Sequence, residues 1–351
     1  MRLSVFEQNL SNKLKEAIRD VTPGVYVRAY HGGRLYCDVA LGDTYPYYDL
    51  ASLTKIIFTN QLMMELFDQG HWNLETKVKD ILKDYPHENI LIKNLMTHTA
   101  GHVWWAPFYK DLDVKLSLAK KRKALYEFVK SSPLENTEKA IYSDLDYWLL
   151  GEVLQELLQK DLVEIWNQTK SKYYEGTNFE FNVNNEPPFA KKLYAPTEEC
   201  PWRKRLIQGE VHDENTWSLG GIATHAGLFG SIDDLASYML LLRSQLMGIA
   251  KYSIRQKTVQ LFAERALRPE VGDWSMGFML PTPGFASCGQ YFSAKSIGHL
   301  GFTGTSVWYD PKEDLIVGVL SNRTLYGRDL EPFRKLRPLI HNWVFEGIKR
   351  V

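Results

Sequence analysis

The chain has 351 residues, 44% of them hydrophobic, which suits one large or two moderate domains with a full core and excludes a disordered protein. Lys+Arg and Asp+Glu each number 42, so no net charge draws the chain to nucleic acid, and the one basic run, Lys120-Lys121-Arg122-Lys123, reads as a solvated helical face. The three cysteines, Cys37, Cys200 and Cys288, are odd in number and scattered, which fits reduced thiols better than a disulfide framework or a CxxC metal site.

Residues 1–20 carry charges at positions 2, 7, 13, 15 and 16 and read as an amphipathic helix, without an apolar stretch of signal-peptide length. No segment approaches the roughly 20 apolar residues of a membrane span, and the expectation is a soluble, cytoplasmic protein. Gly24–Tyr30 and Arg34–Leu41 are rich in β-formers and flank His31-Gly32-Gly33, a hairpin signal. Helical patterns follow: Ser52–Gly70, ending on a glycine suited to a C-cap; Ile90–Thr97; and Leu145–Gln159. Lys170–Trp202, full of Asn, Pro, Lys and aromatics, has no period and is expected to be irregular. Gly220, Gly221, Gly227 and Gly230 lack a nucleotide-binding pattern and read as turns. A capping box at Ser231–Asp234 opens a helix running to about Met247.

Strand signals return at Trp274–Leu280, Ser293–His299, Thr305–Tyr309 and Leu315–Leu320, with Pro311–Asp314 as a turn, and Glu331–Lys349 closes the chain as a helix. Strands at both ends with helices between them predict an α/β (α+β) fold. Its antiparallel sheet is flanked by N- and C-terminal helices and carries a large all-helical insertion. The expected division is a sheet domain from 1–50 and 270–351 and a mostly helical domain from 51–269, with the active site between them.

In Leu50-Ala-Ser-Leu-Thr-Lys-Ile-Ile-Phe58, Ser52 and Lys55 stand at i and i+3, about 5 to 6 Å apart at Cβ if helical. Desolvation by Ile56, Ile57 and Phe58 would lower the lysine pKa toward that of a base for a serine nucleophile. The tetrapeptide alone favours the commoner case, a helix cap followed by a solvated lysine. Two further segments favour chemistry. Tyr142-Ser143-Asp144 precedes a long helix, and His299-Leu-Gly-Phe-Thr-Gly-Thr-Ser306 lies between two strands, with glycine for a close approach.

SxxK, Tyr-Ser-Asp and a glycine-containing strand in this order resemble the penicillin-recognising serine hydrolases, the family of class C β-lactamases, D-alanyl-D-alanine carboxypeptidases and related esterases. The stretches "YYDLASLTKI", "LMTHTAGH", "IYSDLDYWLLGEVL", "APTEECPWRKRLIQGEVHDENTWSLGGIATHAGLFGSIDDLA" and "GHLGFTGTSVWYDPKEDLIVGVLSNR" carry the resemblance over roughly residues 20 to 345. The resemblance implies the β-lactamase/transpeptidase-like fold, with Ser52 as the acylated nucleophile. Lys55 and Tyr142 would share proton transfer, and the backbone N–H groups of Ser52 and Phe302 would form the oxyanion hole.

Two departures bear on substrate. The third motif is His299-Leu300-Gly301 where Lys-Thr-Gly is usual, replacing a fixed charge by a mostly neutral imidazole. Asp144 stands where the β-lactamases have asparagine, placing a negative charge that would disfavour an anionic substrate. Asp144, His299, Gly301 and Trp104 are the expected substrate-binding residues, and β-lactamase activity is expected to be weak or absent. His98, His102, His212 and His225, with Asp213 and Glu214, have no metal-ligand spacing, so neither metal nor cofactor is expected. The partner would be a small-molecule or short-peptide substrate. The competing reading is a catalytically silent penicillin- or peptide-binding protein of the same fold.

Overall fold

The computed structural model describes residues 4–113, 115–135, 138–250 and 254–349. Gly24–His31 and Arg34–Gly42 pair antiparallel around Gly32 and Gly33, whose φ of 57° and 74° give the tight turn the sequence predicts. The sheet continues with strands from the far end of the chain. Its order is Arg34–Gly42, Gly24–His31, Leu315–Ser321, Ser306–Asp310, Ile297–Leu300, all neighbours antiparallel, with Val27 opposite Val319 and Val317 opposite Trp308. Both ends of the chain therefore build one sheet.

Alternation along the strands sorts side chains to two faces. Val25, Val27, Ala29, Val317 and Val319 join Leu10 and Leu14 of the Val5–Ala17 helix and Phe333, Leu336, Ile340 and Val344 of the Glu331–Lys349 helix in one core. Ile316 and Leu320 belong to a second core with Leu235 and Met239 of the Ile232–Leu246 helix. Gly318 admits that helix closely, since a Cβ there would lie 2.8 Å from Met239 Sδ. The helix starts at the predicted capping box: Asp234 N–H donates to Ser231 Oγ at 3.1 Å, and Ser231 N–H to Asp234 Oδ2 at 2.8 Å.

The helical region contains Ile92–Met96, Leu118–Ser131, Asp144–Leu158, Leu162–Tyr173 and Gln256–Ala263. The predicted Ser52–Gly70 helix has a more particular form. Ser52 lies in a turn, the chain widens to a π-helix over Lys55–Asn60, and an ordinary α-helix runs from Gln61 to Asp68, with Gly70 at φ 83° just beyond. Such π segments are rare and concentrate at functional sites.

The middle of the chain departs from the all-helical expectation. Tyr48–Asp49, Leu228–Gly230 and Glu180–Phe181 form a small sheet, and Glu198–Cys200 pairs with Arg205–Ile207. Trp274–Leu280 is apolar enough for a strand, but Gly277 at φ 89° folds it on itself. Ser275 N–H donates to Phe278 O at 3.0 Å, and Met279 alone bridges to the sheet, at Gly298. Ser293 caps onto Asp310 through its N–H and hydroxyl, both at 2.7 Å, so that strand begins only at Ile297. The cysteines are buried free thiols, and burial pushes Cys37 and Cys288 up to about 12. Among the described residues no helix is long and apolar enough to cross a membrane.

Candidate active site

Ser52 follows a residue under strain. Ala51 is held at φ 47°, a left-handed conformation that costs a residue with a Cβ about 1 to 2 kcal/mol. Buried Asp49 holds it there, its Oδ1 accepting from Ala51 N–H at 2.8 Å and its Oδ2 from His212 N–H at 2.7 Å. From the other side, the Thr303 and Thr305 hydroxyls donate to Asp49 O and Leu50 O at 2.7 and 3.0 Å. Gly301 lies in the seam: a Cβ on it would sit 2.0 Å from Thr305 Oγ1 and 2.7 Å from Leu50 O. The serine turn and the end of the His299 strand are thus tied into one unit, the close approach that the glycine implied.

Lys55 Nζ lies 3.1 Å from Ser52 Oγ, and Tyr142 Oη donates to the same oxygen at 2.8 Å. Residues 90 positions apart in the chain therefore meet as the motif order implies. Nζ also donates to Asp144 Oδ1 at 2.6 Å and to His225 O at 3.2 Å. Lys55 is fully buried, as its apolar neighbours suggested, but the electrostatic consequence is the reverse of the expectation. Burial pulls its pKa down, the Asp144 carboxylate and then Tyr142 push it up, and the net shift is upward. Lys55 is an ammonium. Burial likewise raises Tyr142, with the Lys55 charge opposing, so its phenol is neutral. Asp144 is the counter-ion of Lys55 and also lines the cleft.

His98 clasps the segment that carries Tyr142. Its carbonyl accepts Ile141 N–H at 2.9 Å, its Nδ1 accepts Ser143 N–H at 3.1 Å, and its ring lies 4.7 Å from the Tyr142 ring, centre to centre. His102 Nδ1 lies 2.7 Å from Asp146 Oδ1 beneath it. Burial lowers the pKa of His98, which is therefore neutral. Ser143 caps the Asp144–Leu158 helix by accepting from Leu145 N–H at 3.1 Å, and Trp104 O accepts Asp144 N–H at 3.0 Å.

On the facing strand, His299 Nδ1 lies 2.9 Å from Leu300 O. Burial, then the charge on Lys55, pushes the ring down to about 3, so this position supplies no cation at neutral pH. Among the described residues neither Ser52 N–H nor Phe302 N–H donates to a protein acceptor, leaving both available to a ligand oxygen. The Phe302 ring stacks on His212 at 5.5 Å.

These groups line a cleft of ≈ 740 Å³ whose walls include Trp104, Trp105, Trp274, Met279, Leu280 and Phe285. Trp104 is 62% exposed and lies against Trp105, so it is a wall residue and not core. The four histidines weighed as ligands are otherwise engaged: His98 with Ser143 N–H, His102 with Asp146, His225 with Asp213 at 3.3 Å, and His212 with Glu198 at 3.2 Å. Among the described residues Glu198, Cys200 and Glu214 bring donor atoms together, but Arg328 already holds both carboxylates. Sequence reasoning gave Asp49 no role and weighed His98 only as a metal ligand, although both lie inside the quoted stretches "YYDLASLTKI" and "LMTHTAGH".

An antiparallel sheet with both terminal helices on one face, a helical region beside it and a Ser-Lys-Tyr cluster in the cleft define the β-lactamase and penicillin-binding-protein class. The family model described as Beta-lactamase matches residues 6–337, and the chain belongs to that family. A putative D-alanyl-D-alanine carboxypeptidase of Salmonella agona is 30% identical over 332 residues, 85% of this chain and 74% of that protein. An N-acetylmuramyl-L-alanine amidase of Bacillus subtilis is 29% identical over 333 residues, 85% of this chain and 73% of that protein. Among solved structures, EstCE1, a hydrolase with promiscuous acyltransferase activity, is similar in fold with a TM-score of 0.68 at 18% identity, covering 95% of this chain and 97% of that one.

Proposed function

We propose that the protein is a serine hydrolase that cleaves an ester or amide bond through an acyl-enzyme on Ser52. The observation that carries this reading is the convergence of Lys55 Nζ and Tyr142 Oη on Ser52 Oγ, at 3.1 and 2.8 Å, at the wall of a ligand-sized cleft. In the reactive form the Lys55–Tyr142 pair has lost one proton to solvent, which leaves Tyr142 a phenolate; Ser52 Oγ attacks the carbonyl carbon and its proton passes to that phenolate. The substrate oxygen takes up negative charge between the Ser52 and Phe302 N–H groups, and Tyr142 then returns the proton to the leaving alcohol or amine. Water, deprotonated by the same phenolate, releases the acid. Lys55 remains charged throughout, favouring the alkoxide and the phenolate beside it.

Substrates are small esters or D-amino-acid peptides. The carboxypeptidase name of the Salmonella relative supports the peptide and EstCE1 the ester. The uncharged His299 supports weak or absent β-lactamase activity. The free thiols support a cytoplasmic location. Hydrolysis of p-nitrophenyl esters, N-acyl-D-alanyl peptides and nitrocefin by the wild type and by Ser52→Ala tests the reading. Turnover of an ester or peptide that disappears in Ser52→Ala supports it, and turnover that persists in the variant refutes it.

A further inference from the structure

Glu214 and His212, in the wall of the cleft, also belong to a group of metal-ligand types that the acyl-enzyme chemistry does not use. Glu198 and Cys200 stand at i and i+2 on the strand Glu198–Cys200, so both turn to one face; both are buried, while Glu199 between them is exposed. His212 and Glu214 have the same spacing where the chain enters the Glu214–Ser218 helix. One oxygen of each glutamate and the Cys200 sulfur lie within 4.8 Å of one another. His212 is 5% exposed, and its Nε2 lies 3.2 Å from Glu198 Oε2 without making a hydrogen bond to any described residue. It is a buried nitrogen aimed at the cluster.

The two segments are clasped together by Arg203. Its N–H donates to Cys200 Sγ at 3.4 Å, a bond that favours the thiolate, and its Nη1 and Nη2 donate to Val211 O and His212 O at 2.7 and 2.5 Å. A cation already sits between the carboxylates: Arg328 Nε and Nη2 donate to Glu198 at 2.6 and 2.8 Å, and Nη2 also to Glu214. The carboxylates are 9% and 5% exposed, but Arg328 is 42% exposed and follows Gly327, at φ 116°, so this arginine can swing into water while they cannot. A divalent ion in its place leaves the charge of the cluster unchanged. Before the exchange two carboxylates face one guanidinium, and after it two carboxylates and a thiolate face a doubly charged ion.

We infer that Glu198, Cys200, His212 and Glu214 form a zinc site, in which the ion displaces the Arg328 guanidinium. A thiolate and an imidazole beside two carboxylates are the donors of Zn2+, whereas Mg2+ and Ca2+ take oxygen alone. On binding, the Cys200 sulfur gives its proton to solvent, the four donors each supply a lone pair, and Arg328 moves out with its charge. Zinc bonds of about 2.0 to 2.3 Å set tetrahedral donors roughly 3.5 Å apart, so the cluster draws in by about an ångström. The ion would brace the catalytic cleft through His212, whose N–H donates to Asp49 Oδ2 at 2.7 Å and whose ring stacks on Phe302. The site does not depend on the acyl-enzyme reading.

The test is titration of the full chain, stripped with a chelator and kept reduced, with Co2+ as a coloured substitute for Zn2+. One equivalent should produce a thiolate-to-cobalt charge-transfer band together with the intense visible bands of tetrahedral cobalt, and one equivalent of Zn2+ should abolish both. Cys200→Ser should lose the charge-transfer band, and Cys200→Ala repeats the test should the hydroxyl disturb folding. Calorimetry with Zn2+ should show binding weakened at least about tenfold in Glu198→Gln and tightened at least about tenfold in Arg328→Ala, which removes the competing cation. No charge-transfer band in the wild type, or one that survives both Cys200 variants, overturns the site. Binding found only in Arg328→Ala overturns it for the native protein, and Zn2+ affinity unchanged or weakened in that variant overturns the exchange with Arg328.

Discussion

Replacing Asp144 by asparagine removes the charge that keeps Lys55 an ammonium. At 2.6 Å and an effective dielectric constant of about 20, the Lys55–Asp144 attraction is about 6 kcal/mol. Asp144 is 21% exposed and an asparagine oxygen still accepts a hydrogen bond, so the loss felt by Lys55 is about half of that, about 3 kcal/mol, or two pKa units. Burial is then weakly opposed, and the lysine pKa falls toward neutrality. The reactive form, in which the Lys55–Tyr142 pair has given up one proton and Tyr142 is the phenolate, rises about a hundredfold at pH 7, and weaker basicity takes back about half of that gain on a logarithmic scale, leaving about tenfold. The assay is the rate of Ser52 acylation by a fluorophosphonate between pH 6 and 10. For the wild type, whose Lys55 and Tyr142 are both shifted upward, the rate should rise close to tenfold per pH unit up to pH 9. In Asp144→Asn the rising limb should move about two units toward acid. A variant that folds but keeps the wild-type profile, or is slower at every pH, refutes this account of the site's electrostatics.

Acid should destabilise the protein well above the carboxylate range. His299 and His341 are pushed down to about 3 in the folded state but titrate near 6.5 when unfolded, so the unfolded chain binds more protons between those values and stability falls as pH drops below 6.5. The two together should cost about 3 kcal/mol between pH 6.5 and 5; denaturant melts showing no loss over that interval would place charged or exposed rings there. His98→Ala should lower kcat for a p-nitrophenyl ester about 10²-fold through loss of Tyr142 placement, with KM changed less than threefold and a flattened pH profile. A KM effect without a kcat effect would assign His98 to binding instead. Gly301→Ala should cost about 2 kcal/mol or more in stability and most of the activity, because its Cβ meets Thr305 Oγ1 and Leu50 O, and near-wild-type behaviour would contradict the seam described.

The parts of the fold that showed in the sequence are those fixed by local chemistry. The Gly32-Gly33 turn, the Ser231 capping box and the apolar alternation of Leu315–Ser321 each dictate their own backbone, and each is found. The meeting of Ser52, Lys55 and Tyr142 was legible for a different reason: three motifs in family order imply a contact that no single motif shows. Trp274–Leu280 misled because its apolar pattern hides Gly277, which takes a positive φ where only glycine fits, since a Cβ on it would lie 2.0 Å from Asn60 Oδ1. The charge state of Lys55 was illegible because its partner lies 89 residues away, and local apolar neighbours point to the opposite shift. Arg323 and Arg337 look ordinary in sequence, since surface arginines are common, and only the structure shows them buried.

The central claim is that Ser52 is a nucleophile activated by Lys55 and Tyr142. Intact-mass spectrometry after incubation with a fluorophosphonate, followed by peptide mapping, tests it most directly. A single adduct on Ser52 in the wild type, absent in Ser52→Ala and slowed at least about a hundredfold in Lys55→Ala and in Tyr142→Phe, is the predicted result. No adduct on the wild type, or one that persists in Ser52→Ala, contradicts it.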